Sequence, residues 1–238
     1  MDGDWATDDL PSLCRILARN SATLDAMDRR LSDIQAPFLK AYHWFNKNSR
    51  SGSRKNIAAH YDLGNDFFKT FLDETMAYSS AYFESEQESL TQASINKFDR
   101  LCQKLNLNES DHLLEIGSGW GGFACHAAKK YGCQVTTITI SKEQLAITQE
   151  RIREEGLEGR VTAKFSDYRD VTGTYSKIAS IEMIEAVGHQ FYPTFFKQCM
   201  RLLTRDGLLG LQAITIRDQQ YNLARRNVDF IKRYIFPG

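Results

Sequence analysis

One glycine-rich segment constrains the fold of this chain more than any other part of the sequence. The letters GSGWGG at 117–122 follow a short apolar run at 112–116 and precede an apolar, helix-like stretch at 123–131. Glycine lets the backbone turn sharply and approach a ligand closely, and a strand, a glycine loop and a helix in this order are typical of the ligand-binding edge of an α/β sheet. The segment therefore predicts a cofactor site at the carboxyl end of the first strand.

Strand-like and helix-like segments alternate through the centre of the chain. Apolar and β-branched runs predict five strands, and apolar residues at helical spacing predict helices between them. The predicted strands are 112–116, 134–140, 161–165, 177–181 and 208–216, and the predicted helices are 123–131, 141–155 and 190–203. This alternation is typical of an α/β protein with a doubly wound, mostly parallel, Rossmann-like sheet.

The glycine loop alone leaves two cofactors open. Gly117, Gly119 and Gly122 satisfy the GxGxxG pattern of nicotinamide enzymes, which is weak evidence by itself. A dinucleotide site also needs an acid about 20 residues further on to bind the ribose hydroxyls, whereas the second predicted strand carries Thr139 and no carboxylate at its tip. Glu115 places a carboxylate where it meets the cationic methionine end of S-adenosylmethionine or orients the loop amides. These features favour S-adenosylmethionine over NAD.

Composition argues against several other classes of protein. Lys+Arg and Asp+Glu are both 30, so the formal net charge is zero and the basic excess of a nucleic-acid-binding protein is absent. The five cysteines show no metal-binding spacing, which indicates a reduced, cytoplasmic protein without disulfides or structural zinc. The acidic first residues and the lack of an apolar run of roughly 18 to 20 residues predict neither a secretion signal nor a membrane span.

Four segments together resemble a known enzyme family. They read HYDLGNDFF at 60–68, AYSSAYF at 77–83, the glycine loop, and IEMIEAVGH at 181–189, with YIFPG at 234–238 as a further likeness. The chain from about residue 56 onward resembles the cyclopropane-fatty-acyl-phospholipid synthases, a family of S-adenosylmethionine-dependent methyltransferases that includes the mycolic acid methyltransferases. The two segments upstream of the loop are far more specific than the loop itself.

The resemblance implies a set of residues that bind S-adenosylmethionine. Those expected to close over or pass beneath the methionine end are Tyr61, Tyr78, Ser79, Gly117 and Gly119. Those expected to reach the ribose or the adenine are Thr139, Gln144, Asp167 and Tyr168. Hydroxyl, amide and carboxylate groups suit these partners chemically.

The reaction implied by the resemblance is methyl transfer to the double bond of an unsaturated acyl chain of a phospholipid, at the inner face of the membrane. An alkene is a poor nucleophile, so it must be held in line with the sulfonium methyl group in a dry pocket. The resulting carbocation needs negative charge or aromatic faces nearby. The residues expected to supply these are Glu185 and an aromatic set, namely Tyr78, Tyr82, Phe83 and Tyr192.

The chain departs from the family at the base that removes the final proton. Many members hold a bicarbonate ion with a cysteine, a Glu-His pair and a further histidine, whereas this chain has Ser80, Glu185-Ala186 and Gln212 at those positions. Bicarbonate binding by Ser80 and Gln212 stays open, and so do a cyclopropane product, a methyl-branched or methylene product, and a protein that binds cofactor without turnover. Glu182 is a second acid whose role the sequence leaves open.

The sequence predicts three regions. They are a helical preamble and linker at 1–55, a helical cap over the cofactor at 56–89, and a methyltransferase core at 90–238. Five strands leave the last one as an edge, a state that proteins normally avoid, so the core is expected to be incomplete at its C-terminal end.

Overall fold

We describe a computed structural model of the chain at residues 6–20 and 65–226. The described residues fall into two units, one of residues 6–20 with 217–226 and one of residues 65–216, and each is considered by itself. The helices are α1 (Leu10–Arg19), α2 (Asn65–Lys69), α3 (Leu90–Lys104), α4 (Gly122–Tyr131), α5 (Lys142–Glu154), α6 (Tyr192–Leu202) and α7 (Asp218–Arg226). The strands are β1 (His112–Ile116), β2 (Gln134–Thr139), β3 (Val161–Phe165), β4 (Tyr175–Ile181) and β5 (Leu203–Gln212).

The first unit contributes α1 and α7. The Asp9 side chain caps α1 by accepting a hydrogen bond from the Ser12 amide at 3.0 Å, which satisfies one of the free N–H groups at a helix start. α1 lies within the range of the predicted preamble. The second helix predicted there and the linker up to residue 55 lie outside the described residues. Residues 217–226, which the sequence placed in the methyltransferase core, fall in this unit.

The second unit is built on a five-stranded, entirely parallel sheet. Its strand order is β3-β2-β1-β4-β5, so the chain winds outward in one direction from β1 to β3 and then in the other to β4 and β5. This order confirms the predicted doubly wound sheet. The order reverses between β1 and β4, and the crevice outside the carboxyl ends of these strands is where such sheets bind ligands.

Two apolar layers cover the faces of the sheet. Phe98 of α3, Phe123 of α4 and Ile152 of α5 pack on one face together with Leu113 of β1. On the opposite face of the sheet, Phe195 and other residues of α6 pack against apolar side chains of the strands. Because both faces are covered, β1 and β2 are buried at every position except the first, and their apolar and β-branched residues were readable from the sequence.

Some boundaries differ from the sequence-based prediction. β5 covers Leu203–Gln212 instead of 208–216, because Tyr175 pairs with Leu203 while Lys177 already pairs with Leu208, and the residues between bulge out of the ladder. The helix predicted at 190–203 is a 3₁₀ turn, His189–Phe191, followed by α6. The described part of the predicted helical cap, 65–89, contains the single helix α2 followed by turns.

Two further expectations from the sequence concern membrane spans and the state of the cysteines. The helices in ranges 6–20 and 65–226 are all too short or too polar to cross a lipid bilayer. The five cysteines are free thiols, four of them buried.

Candidate active site

The glycine loop follows β1 at the reversal point of the sheet. The amides of Gly117 and Ser118 both donate to the Ile138 carbonyl of β2, at 3.0 and 2.9 Å. Gly117 and Gly119 have φ angles of +98° and +49°, a region in which side chains with a Cβ are strained. A Cβ on Gly119 would meet no atom within 4 Å, so the loop has open space in front of it. The loop geometry therefore suits close approach by a ligand.

The ends of the other strands meet at the same edge. The Ser166 amide donates to the Thr139 carbonyl at 3.0 Å, and the Glu182 amide donates to the Gln212 carbonyl at 2.9 Å. The residues predicted at the strand ends therefore lie at the carboxyl edge of the sheet, where the glycine loop also lies.

Thr139 and Gln144 form a buried polar pair at the end of β2. The Thr139 hydroxyl donates to the Gln144 side-chain oxygen at 2.9 Å, and both residues are buried. Ser141 caps α5 by accepting from the Gln144 amide at 3.2 Å, which fixes the start of the helix next to this pair. Both residues predicted to reach the ribose are thus in mutual contact.

Asp167 and Tyr168 lie beyond the end of β3. The Asp167 carboxylate makes a two-point ion pair with the Arg169 guanidinium, with contacts of 2.8 and 2.5 Å. Tyr168 packs edge-on against Phe195, with ring centroids 5.4 Å apart. Arg169 is an unpredicted member of this group, and it holds the acid that was expected to bind the adenine amine. The hydrogen bond from Asp167 to adenine stays a prediction.

Glu115 is buried at 2% exposure in the middle of the sheet and accepts a hydrogen bond from the Thr137 hydroxyl at 2.5 Å. Burial raises the pKa of Glu115 to about 8, against the opposing effects of Thr137 and the Lys97 ammonium group. The expected contact of Glu115 with the methionine end of the cofactor stays a prediction.

Lys97 of α3 is a buried cation that the sequence analysis missed. Its ammonium group donates to the Ser79 hydroxyl at 2.6 Å and lies 4.5 Å from the centroid of the Phe98 ring. Burial lowers the pKa of Lys97 to about 8, while nearby Glu182, Glu115 and Asp73 raise it. A lysine on the mostly apolar buried face of α3 was the signal that could have revealed it.

Ser80 and Gln212 meet at a carboxylate, but this carboxylate belongs to Glu182 and not to Glu185. Oε1 of Glu182 accepts from the Ser80 amide and hydroxyl, both at 3.0 Å, and from the Gln212 side-chain amide at 2.8 Å. The Gln212 amide also lies 3.2 Å from the Ser80 hydroxyl oxygen. We call Ser80, Glu182 and Gln212 the acid cluster.

Glu185 lies in the 3₁₀ turn Ile184–Ala186. Its Oε1 accepts from the Ile214 amide at 2.6 Å, and its Oε2 is buried without a hydrogen-bond partner among the described residues. A buried carboxylate oxygen without a donor is costly and is typical of a site that receives another group. Glu185 therefore remains a candidate, beside the acid cluster.

Tyr78 and Tyr61 complete the predicted set. Tyr78 is 41% exposed and packs edge-on against Phe68, with ring centroids 5.2 Å apart. Phe68 in turn packs on the buried Trp120 of the glycine loop, whose indole N–H donates to Asn65 at 2.7 Å. Tyr61 lies outside the described residues.

The residues present fit S-adenosylmethionine. Open space at Gly119 accommodates the close passage of a cofactor, and the buried Thr139–Gln144 pair has the hydroxyl and amide chemistry that suits a ribose. The parallel sheet in this order, with its ligand edge at the glycine loop, is the fold of the class I S-adenosylmethionine-dependent methyltransferases.

Comparisons with known proteins extend this assignment. The family model for mycolic acid cyclopropane synthetase matches residues 48–238. The chain is 36% identical to the tuberculostearic acid methyltransferase UfaA1 of Mycobacterium tuberculosis over 247 residues, covering 100% of this chain and 57% of the relative. It is 41% identical to the cyclopropane-fatty-acyl-phospholipid synthase of Escherichia coli K12 over 180 residues, covering 75% and 44%.

A solved structure agrees with these relatives. The mycolic acid cyclopropane synthase CmaA1, complexed with SAH and CTAB, is 34% identical with a TM-score of 0.71, covering 77% of this chain and 68% of that one. The chain spans about half the length of the curated relatives it matches. It belongs to the mycolic acid cyclopropane synthetase family.

Proposed function

We propose that this protein transfers a methyl group from S-adenosylmethionine to the double bond of an unsaturated acyl chain of a phospholipid. The observation that carries the proposal is the open glycine loop beside two acids, Glu182 and Glu185, at the reversal point of a methyltransferase sheet. Family membership supports the same reaction class, because the names of the relatives given above refer to lipid substrates.

The site residues have distinct parts in this proposal. The loop at Gly119 lies under the cofactor, and the Thr139–Gln144 pair faces its ribose. The cofactor supplies an electrophilic methyl group. The protein holds the alkene in line with that methyl group and keeps water out, because orientation and exclusion of water are what a weak nucleophile needs. Carboxylate charge at the carboxyl edge stabilises the carbocation that forms.

The product is part of the test, because the relatives carry names for both a methyltransferase and cyclopropane synthases. The full-length protein is incubated with methyl-labelled S-adenosylmethionine and vesicles of mono-unsaturated or fully saturated phosphatidylethanolamine. We expect label only in the unsaturated lipid. Nuclear magnetic resonance then distinguishes the ring protons of a cyclopropane from the vinyl protons of a methylene product. Equal labelling of the saturated lipid, or no labelled lipid, would contradict the proposal.

Peripheral contact with the cytoplasmic face of the membrane is a further part of the proposal, since the acyl chains of a phospholipid are reached there. Sedimentation with the same vesicles tests it. If the protein stays entirely in the supernatant but methylates free unsaturated fatty acid, membrane contact is contradicted. The proposed methyl transfer to a double bond is then still supported.

A further inference from the structure

The acid cluster is arranged as an anion-binding site that already contains an anion. Three donors, namely the amide and hydroxyl of Ser80 and the side-chain amide of Gln212, all contact the single oxygen Oε1 of Glu182 at 2.8–3.0 Å. A backbone N–H, a hydroxyl and a carboxamide are the neutral donors that a small oxyanion would otherwise receive. The Glu182 side chain therefore occupies the place to which these donors point.

The backbone at Glu182 is unusual in a way that fits this arrangement. Glu182 directly follows β4 and has a φ angle of +47°, which residues with a Cβ rarely adopt because it is strained for them. Its amide is tied to the Gln212 carbonyl at 2.9 Å, and that residue's side chain contacts the carboxylate. Strained conformations persist where surrounding contacts hold them, and they concentrate at functional sites.

A purely structural salt link explains the position less well. The hydrogen bonds to the Glu182 carboxylate within the described residues come from neutral donors, and none of them is an ion pair. The Lys97 ammonium group is bonded to Ser79 instead of Glu182, although it lies near enough for the acid to raise the pKa of Lys97. The charge of Glu182 is thus held in place by neutral hydrogen-bond donors.

From this geometry we propose that the Glu182 carboxylate is the built-in base of the reaction and replaces an external bicarbonate ion. The inference rests on the proposed function. It assigns the proton acceptor to Glu182 and leaves Glu185, which contacts the Ile214 amide beyond the end of β5, as a neighbouring charge.

The chemistry balances with Glu182 as the only base. The electron pair of the alkene forms a bond to the methyl carbon as the bond from that carbon to sulfur breaks, which leaves S-adenosylhomocysteine and a carbocation on the acyl chain. The Glu182 carboxylate then takes one proton. If the proton comes from the transferred methyl group, the C–H electrons close a cyclopropane ring; if it comes from a neighbouring carbon, they form a new double bond. The resulting carboxylic acid returns its proton to water, to which Ser80 is exposed.

The first test measures methyl transfer by the full-length protein in buffer freed of carbon dioxide, with and without added bicarbonate. We expect the unaltered protein to need no bicarbonate. Glu182→Gln should lower methyl transfer about a hundredfold, at the lower end of what a positioned general base contributes. Glu158→Gln, which removes the same charge from an exposed residue, is the matched control and should retain full activity.

The second test uses Glu182→Gly, which empties the place of the carboxylate and suits the positive φ angle. Bicarbonate should raise the thermal unfolding midpoint of this variant, because a ligand that binds the folded state stabilises it. It should leave the midpoint of the unaltered protein unchanged. Bicarbonate should also restore methyl transfer by the variant at least about tenfold, which a merely structural role of Glu182 would not produce.

Three results would overturn the proposal. They are strict bicarbonate dependence of the unaltered protein, full activity of Glu182→Gln, and a Glu182→Gly variant that bicarbonate neither stabilises nor restores. A protein that methylates no unsaturated lipid would contradict the proposed function instead, and the thermal measurements would still decide whether the Glu182 carboxylate occupies an anion site.

Discussion

The buried acid Glu115 should make the stability of this protein depend on pH in an unusual direction. Most carboxylates stabilise a folded protein more as pH rises, because their pKa is lowered on folding. Burial instead raises the pKa of Glu115 from 4.5 to about 8. Between these values the folded state keeps a proton that the unfolded state has released, so the contribution of Glu115 to stability falls as pH rises.

The size of the effect follows from the difference between the folded and unfolded pKa of Glu115. A tenfold change in proton affinity corresponds to about 1.4 kcal/mol, so the rise in pKa from 4.5 to about 8 amounts to about 5 kcal/mol across that range of pH. Glu115→Gln keeps the shape and an oxygen that can accept from the Thr137 hydroxyl, which lies at 2.5 Å. The variant has no proton to release at this position. It should therefore gain stability relative to the unaltered protein by about 5 kcal/mol between pH 4.5 and pH 8.

Urea unfolding of both proteins at several pH values from about 4.5 to about 8.5 measures this difference, since the effect is confined to the interval between the two pKa values. Glu158→Gln, which changes an exposed acid, serves as the control, and its stability should run parallel to that of the unaltered protein. If the difference in unfolding free energy between Glu115→Gln and the unaltered protein stays constant over this range, Glu115 does not carry a raised pKa and the reasoning is refuted.

Three further predictions concern the cofactor and the acids. Calorimetric titration should show binding of S-adenosylmethionine and not of NAD, and preferential NAD binding would contradict the assigned class. Gly119→Val should weaken cofactor binding at least about tenfold, since the side chain would enter the open space before the loop at a φ angle of +49°; unchanged affinity would place the cofactor elsewhere. Glu185→Gln should lower methyl transfer at least about tenfold, or about 1.4 kcal/mol of barrier. An unimpaired Glu185→Gln enzyme would remove Glu185 from the mechanism.

Local sequence patterns were sufficient for most of the sheet and for the loop. The runs at 112–116 and 161–165 were predicted with the bounds that the structure has, and the Gly119 loop was placed at the sheet edge. These features follow from short-range physics, because strands buried on both faces are rich in apolar and β-branched residues and a turn with positive φ angles favours glycine. The strand order was then restricted by the few ways in which alternating strands and helices can be wound.

The bounds of β5 were not available from such patterns. The start of the strand at Leu203 depends on its pairing with Tyr175 of β4, across an irregularity that the sequence does not mark. Strand ends are set by the partner strand as well as by local preference.

The tertiary structure alone decided which acid meets the two side chains at the altered base site. Glu182 and Glu185 are three residues apart, and the family resemblance grouped Ser80 and Gln212 with Glu185 at the altered base site. The backbone leaves β4 with a positive φ angle at Glu182, and this turns that carboxylate, instead of the other, toward the pair. Ser80 and Gln212 are 132 positions apart, and Lys97 reaches Ser79 from α3. Such meetings arise from packing between distant segments, which local preference does not encode.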